Sequence, residues 1–261
     1  MVTERIVLPD FGSHYYDDQG NPHYEVEMKT KPGQMRRANI ADAREHGWHP
    51  SATGILQMIY RYRLEAYIQN SYILAGARTE RLGDEDDLAF CRRIRDEGRA
   101  EAIAAAEFGT YLHAAIADAV NGYLDGIEDS DEALGPFVVP FMEWAAKNDL
   151  QVIEAERCFC DVAERYGGRI DAIGTLRGES VVIDWQTSAT MKTYAEKYAQ
   201  VCAYRRGAKL EGRPLIVCIS SVTPGLIEEH PVEDEAASWD VFADAKRLYY
   251  GAAGPWKQAA S

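Results

Sequence analysis

Positive charge is scarce in this chain: 28 lysines and arginines stand against 42 aspartates and glutamates among 261 residues, a formal net charge of −14. Such a balance argues against broad, nonspecific attraction to nucleic acid. Any DNA binding would need locally concentrated cations, or metal ions that cancel the carboxylates. Cysteine is sparse as well. The five (Cys91, Cys158, Cys160, Cys202 and Cys218) are odd in number and include no CxxC pair. That argues against a disulfide framework or a zinc ribbon and fits a reducing cytoplasm. No apolar run approaches the ~18 residues of a membrane span. The opening segment, MVTERIVLPDFG, lacks a basic start followed by an apolar stretch, so no signal peptide is expected. Internal repeats and low-complexity tracts are also missing.

What is present is enough apolar content, 46%, to bury a full core. One large domain with a smaller accessory region follows from the length. Residues 1–49 are polar and turn-rich and predict an irregular arm with a short helix near Ile40–Glu45. Lys29, Lys31, Arg36 and Arg37 in that arm are either a solvated run or a guide for a phosphate backbone. Pro50-Ser51-Ala52-Thr53 precedes the apolar stretch GILQMIYRY, which is a helix N-cap signal. Residues 84–124 predict a helix with a stripe at Leu112, Ala115, Ile116, Ala119 and Tyr123, and 134–147 a shorter one with Phe137, Phe141 and Trp144 inward. At about residue 150 the character changes. Segments 151–163, 168–176 and 180–186 predict strands, followed by a helix at 190–208, a strand at 214–223 and a helix at 234–250. The organisation is an arm (1–49), a helical region (50–148) and an α/β or α+β layered core (149–261).

The segment GGRIDAIGTLRGESVVIDWQTS, residues 167–188, concentrates the chemistry. It predicts two strands joined at Arg177-Gly178. With those two residues as the loop, paired positions sum to 355, and Asp171 faces Asp184. Directly opposed residues have Cβ atoms about 4.5–5.5 Å apart, and like charges so placed are destabilising. A divalent cation held by carboxylate oxygens is the natural compensation. Gln186 stands beside Asp184 at i+2. Val181-Val182-Ile183 is a continuous apolar run, as in a strand buried on both faces. Spacing alone leaves a second reading open, in which Asp171 and Asp184 are solvated strand-end carboxylates.

Four pieces in order, PSATGIL (50–56), GTYLHAAI (109–116), GRIDAIG (168–174) with VIDWQTS (182–188), and QVCAY (200–204), give the chain a resemblance to the RecB-like branch of the PD-(D/E)XK nucleases. That branch includes phage exonucleases and CRISPR adaptation nucleases. Glu156, fifteen residues before Asp171, also matches the pattern. The resemblance covers about residues 50–204. It implies a restriction-endonuclease-like core, a central mixed β-sheet flanked by helices, with a helical N-terminal region, in one nuclease domain over 50–261. It implies a Mg²⁺ or Mn²⁺ site in which His113, Asp171 and Asp184 are ligands, with the Trp185 carbonyl as an added contact and Glu156 supporting the metal or its water. Gln200 and Tyr204 would line the site and touch the substrate backbone. Ser51 and Thr53 would hold a phosphate at a helix N-terminus. The implied substrate is a DNA end, single- or double-stranded. The implied partner is DNA, with a single-strand annealing protein as a further one by analogy with phage recombination. Oligomeric state is open, no membrane partner is implied, and with no four-cysteine pattern no iron–sulfur cluster is expected.

The sequence departs from the family pattern at one site residue. Where the family has lysine two residues after the second Asp, this chain has Gln186. Glutamine can orient a water but brings no charge, and losing a positioned charge at a developing oxyanion often costs on the order of 10²–10³ in rate. Three accounts stay open: a change introduced to trap substrate, a natural variant that remains active, and a degenerate site that binds DNA without cutting. Lys192 and Lys197, on the expected helix that follows, are candidate replacements for the charge. A non-catalytic DNA-binding or assembly module, and a hydrolase of small phosphoesters, are the competing functions.

Overall fold

Even where the sequence is polar and turn-rich, the chain forms short strand pairings. The computed structural model describes residues 14–59, 62–120 and 133–253. Strand β1 (Tyr15–Tyr16) pairs antiparallel with β2 (Pro22–His23) on one side and β5 (His49–Pro50) on the other, while β3 (Glu25–Glu27) and β4 (Met35–Arg37) form a separate hairpin. Helix α1 (Ile40–His46) is closed by a reciprocal cap: the Asn39 side chain accepts from the Ala41 and Asp42 amides, and Asp42 returns a bond to the Asn39 amide. Gly47, at φ 74, ends it. An irregular arm was expected here. Instead the described part, from residue 14 on, is anchored: Tyr15 and Tyr16 are buried, and a Cβ on Gly167 would lie 2.6 Å from the Tyr16 ring.

Ser51 caps helix α2 (Ala52–Leu56), its Oγ accepting from the Gly54 amide at 2.9 Å. An isolated bridge, Ser51 to Gly167, ties this segment to the main sheet. Helices α3 (Tyr62–Arg78), α4 (Asp87–Val120) and α5 (Gly135–Lys147) follow. The end of the expected 84–124 helix, with Tyr123, lies outside the described residues. Strands β6 (Gln151–Asp161), β7 (Tyr166–Leu176) and β8 (Glu179–Ser188) form an antiparallel meander. Helix α6 (Ala195–Gly207) then carries the chain to β9 (Arg213–Ser220), which lies parallel to β8. Strand β10 (Ile227–Pro231) pairs antiparallel with β9, and helix α7 (Glu235–Ala253) closes the described chain. The result is a five-stranded mixed sheet, β10-β9-β8-β7-β6, with helices on it.

The core follows from burial on both sides of β8. Val181 to Trp185 are all buried, as the uninterrupted apolar run predicts. On one side Ile55 and Leu56 of α2, Ala203 and Tyr204 of α6, and Phe242 and Tyr249 of α7 cluster with Ile170, Val182 and Ile216. Elsewhere Phe141 of α5 meets the Trp185 indole edge-on at 5.4 Å. Among the described residues no helix is long and apolar enough to cross a membrane.

The described residues divide into two compact units. One comprises 62–111. Within it Gly98 lets α4 approach α3 closely, because a Cβ there would lie 2.9 Å from the Ser71 carbonyl oxygen. Arg93 pairs with Glu85 at 2.7 Å. The other unit comprises 14–59, 112–120 and 133–253 and contains the sheet. Its composition differs from the three segments expected from sequence, since residues 14–59 and the end of α4 belong with the strands.

Candidate metal centre

The hairpin sets the geometry. Arg177 (φ 53) and Gly178 (φ 80) both take positive φ, the requirement of a two-residue turn that matches strand twist. Pairing from Leu176↔Glu179 to Ala172↔Ile183 keeps the sum of 355, so Asp171 and Asp184 occupy the next facing positions. On the other edge of β7, Ala155↔Ala172 and Arg157↔Ile170 bracket Glu156, which therefore faces Asp171. Three carboxylates thus stand in a row on neighbouring strands. Glu156 sits at φ 56. A left-handed backbone at a non-glycine residue costs about 1–2 kcal/mol, and such residues cluster at functional sites.

His113, in the part of α4 that belongs with the sheet, brings Nε2 to 3.5 Å from Asp171 Oδ1. Ligand atoms of His113, Glu156 and Asp171 all lie within 4.8 Å of one another. The supporting contacts are specific. The Trp185 amide donates to Asp171 Oδ2 at 2.8 Å, and Arg169 Nη1 lies 2.9 Å from Glu156 Oε2. Asp184 is gripped from α6: Gln200 Nε2 donates to its Oδ1 at 2.8 Å, and Lys197 Nζ lies 3.2 Å from Oδ2. Gln200 Nε2 also reaches the Tyr204 hydroxyl at 2.9 Å, which meets Thr53 Oγ1 at 3.3 Å. Gly168 makes room for this network. A Cβ there would lie 2.7 Å from the Tyr204 ring and 2.8 Å from Phe159.

Electrostatics divide the two aspartates. Burial pushes both carboxyls toward the neutral form. At Asp171 the His113 imidazolium and the Trp185 amide outweigh burial and hold the pKa below its usual value. At Asp184 burial, reinforced by the charge of Asp171, prevails over Lys197 and raises the pKa. Burial opposes charging His113, yet Asp171, with Asp184 and Glu156 behind it, raises the His113 pKa above the ordinary imidazole value.

Several expected roles change in detail. Asp184 stands outside the converging trio, and both its oxygens are engaged by α6. Glu156, expected as support, is in the trio. Gln200 and Tyr204, expected to touch substrate, are buried; Gln200 Nε2 bonds Asp184 and the Tyr204 hydroxyl, which also meets Thr53. Ser51, expected to hold a phosphate, is 1% exposed and its hydroxyl accepts from the Gly54 amide as a helix cap. Trp185 supplies its amide to Asp171, and its indole is buried. Gln186, expected to orient water, donates instead to the Lys192 carbonyl at 3.0 Å. Lys192 precedes α6 rather than lying on it. Arg169 was not singled out from sequence, although its place two residues before Asp171 on one strand was a usable signal.

No family model matches the chain, and no curated protein matches it. A solved structure described as "Crystal structure of SSO0001" is similar over 72% of this chain and 87% of that one, at 18% identity and a TM-score of 0.29. At that TM-score the likeness carries no argument about fold or function.

Proposed function

We propose that the chain is a Mg²⁺- or Mn²⁺-dependent DNA nuclease on a restriction-endonuclease-like core, hydrolysing phosphodiester bonds at DNA ends. The observation that carries this reading is the convergence of His113, Glu156 and Asp171 within 4.8 Å, with Asp184 as the next carboxylate in the row. The donor set fits the ion. One imidazole and hard carboxylate oxygens suit Mn²⁺, and few protein ligands suit Mg²⁺.

His113, Glu156 and Asp171 would hold the metal. When bound, the ion supplies water activation and charge neutralisation at the scissile phosphate. The chain's own residues prepare that place. The Trp185 amide and His113 fix the Asp171 carboxylate, Arg169 orients Glu156, and Gln200 and Lys197 fix Asp184. Such second contacts fix ligand orientation and basicity. Hydrolysis joins a water oxygen to phosphorus and releases the sugar oxygen with its electron pair. One water proton ends on that oxygen and the other in solvent.

One observation favours a weakened or non-cutting variant of this reading: the Gln186 amide is tied to Lys192 and not aimed at Asp184. End-labelled DNA, single- and double-stranded, digested with Mg²⁺ and with Mn²⁺, tests both. Cleavage by this chain that Asp171→Ala abolishes supports the nuclease. If neither this chain nor its Gln186→Lys variant cuts any DNA form in Mn²⁺, the enzyme reading fails and a DNA-binding module takes its place.

A further inference from the structure

We propose that Lys197 supplies the positive charge that Gln186 lacks, as a catalytic residue reaching the scissile phosphate from helix α6; this rests on the nuclease reading. Hydrolysis of a phosphodiester places additional negative charge on the non-bridging oxygens. A fixed cation beside them acts mainly on the transition state, where that charge is greatest. Gln186 cannot provide it. Its amide is neutral, its nitrogen is bound to the Lys192 carbonyl, and its Oε1 is buried with no hydrogen-bond partner.

Lys197 has the required placement. Its ammonium lies 3.2 Å from Asp184 Oδ2, and its side chain is 33% exposed where that of Asp184 is 3%. The head therefore stands at the rim of the carboxylate row, against a buried acid and one-third exposed. Its placement is fixed by the helix. Lys197, Gln200 and Tyr204 recur at i, i+3 and i+7, so one stripe of α6 faces the site. Gln200 holds the other oxygen of the same aspartate, so the two residues grip Asp184 from both sides. Arg169 lies on the other side of the row, 2.9 Å from Glu156. The charge is thus delivered from the helix side of the site, while the strand position that ordinarily carries it is occupied by an amide facing away.

A purely structural role for Lys197, neutralising Asp184, predicts something different, and the experiment separates the two. Turnover and KM on end-labelled DNA with Mn²⁺, and Mn²⁺ affinity by calorimetry, are measured for the unaltered chain, Lys197→Met, Lys197→Met with Gln186→Lys, and Lys192→Ala. The expected result is a fall in kcat of roughly 10²–10³-fold in Lys197→Met, with KM and Mn²⁺ affinity little changed. The double variant recovers at least part of that loss, and Lys192→Ala cleaves as before. The proposal is overturned if Lys197→Met turns over normally, if its turnover falls in step with Mn²⁺ binding, or if the double variant is no better than the single one. Cleavage that Asp171→Ala abolishes and Lys197→Met leaves intact removes the lysine proposal alone. An unaltered chain that neither binds Mn²⁺ nor cuts removes the nuclease reading with it.

Discussion

Two neighbouring aspartates should respond to the same substitution with opposite signs. Asp184 is 2% exposed, faces Asp171, and is harder to ionise in the folded chain than in the unfolded one. Its charge therefore opposes folding at neutral pH, and the penalty vanishes only below the ordinary carboxylate range, about pH 3.9, where both states are protonated. Asp184→Asn keeps the acceptor for Gln200 and removes the charge; Lys197, one-third exposed, can turn to water. In metal-free buffer at pH 7 the variant should gain on the order of 1–2 kcal/mol, the usual size of a relieved local conflict. At about 2–4 °C per kcal/mol for a chain of this size, Tm rises by roughly 2–8 °C. Asp171 is the reverse case. Its pKa is depressed by His113 and the Trp185 amide, so its charge contributes stability above the ordinary carboxylate range, which is lost as pH falls through the folded value. Asp171→Asn removes the charge that pairs with His113 and should cost about 1–3 kcal/mol. The assay is thermal unfolding in EDTA at pH 7, repeated near pH 4, where the gain from Asp184→Asn should shrink. A destabilised Asp184→Asn would show that the Asp184–Lys197–Gln200 network is a structural staple, and the argument for a functionally held conflict would fail.

Mn²⁺ affinity should rise with pH, because the raised pKa of His113 leaves it partly protonated above the ordinary imidazole value of 6.5, and a ligand imidazole must be neutral. Below the folded His113 pKa the gain approaches about tenfold per pH unit, then levels off above it; calorimetry in two buffers of different ionisation enthalpy should count the released proton, and pH-independent binding would exclude His113 as a ligand. In the metal-free protein the His113 charge stabilises the fold fully below about pH 6.5, and this contribution fades as pH rises through the higher folded value. Gly168→Ala should cost about 1–3 kcal/mol by overpacking, since its Cβ would sit 2.7 Å from the Tyr204 ring. It should also reduce cleavage by displacing the Tyr204–Gln200 pair, while Gly178→Ala, on the exposed turn, costs about 1 kcal/mol and leaves cleavage intact; equal effects of the two would refute the packing account.

The parts legible in the sequence were those set by near neighbours. The hairpin register needed only the Arg177-Gly178 loop and alternation around it, and it placed Asp171 against Asp184. The buried run Val181–Ile183 and the Ser51 cap are equally local. What the sequence hid depends on contacts between distant segments. The bond from Thr53 to Tyr204 spans 151 positions, and Lys197 meets Asp184 only because α6 docks with one stripe toward β8. Strand β10, IEEHP, has too many charges and too short a span to stand out, and it forms because β9 offers an edge. The two- and three-residue strands of the N-terminal segment carry no periodicity at all. Gln186 illustrates a further limit. Alternation placed it beside Asp184, but a long side chain can turn away, and the Lys192 carbonyl captures it.

The distribution of local conflicts is itself an argument. Along the sheet, apolar alternation, turn chemistry and strand pairing agree with one another, as they do in a sequence that folds without strain. Several exceptions meet at the facing positions of β6, β7 and β8. Glu156 adopts a left-handed backbone, Asp171 and Asp184 bring like charges together inside the protein, and an imidazole arrives from another element to meet them. A structural purpose would be served more cheaply by apolar residues, because replacing buried charges with packed hydrophobic groups is often neutral or stabilising. Nor does the ion pair with Lys197 remove the conflict, since the Asp184 pKa stays raised beside it. On the proposed reading, a multivalent cation held by Glu156 and Asp171 beside His113 would weaken the repulsion that Asp171 exerts on Asp184. If the proposed metal reading holds, the cost in the metal-free chain and the donor geometry have one origin, and the opposite responses of Asp171 and Asp184 to neutralisation are its measurable trace.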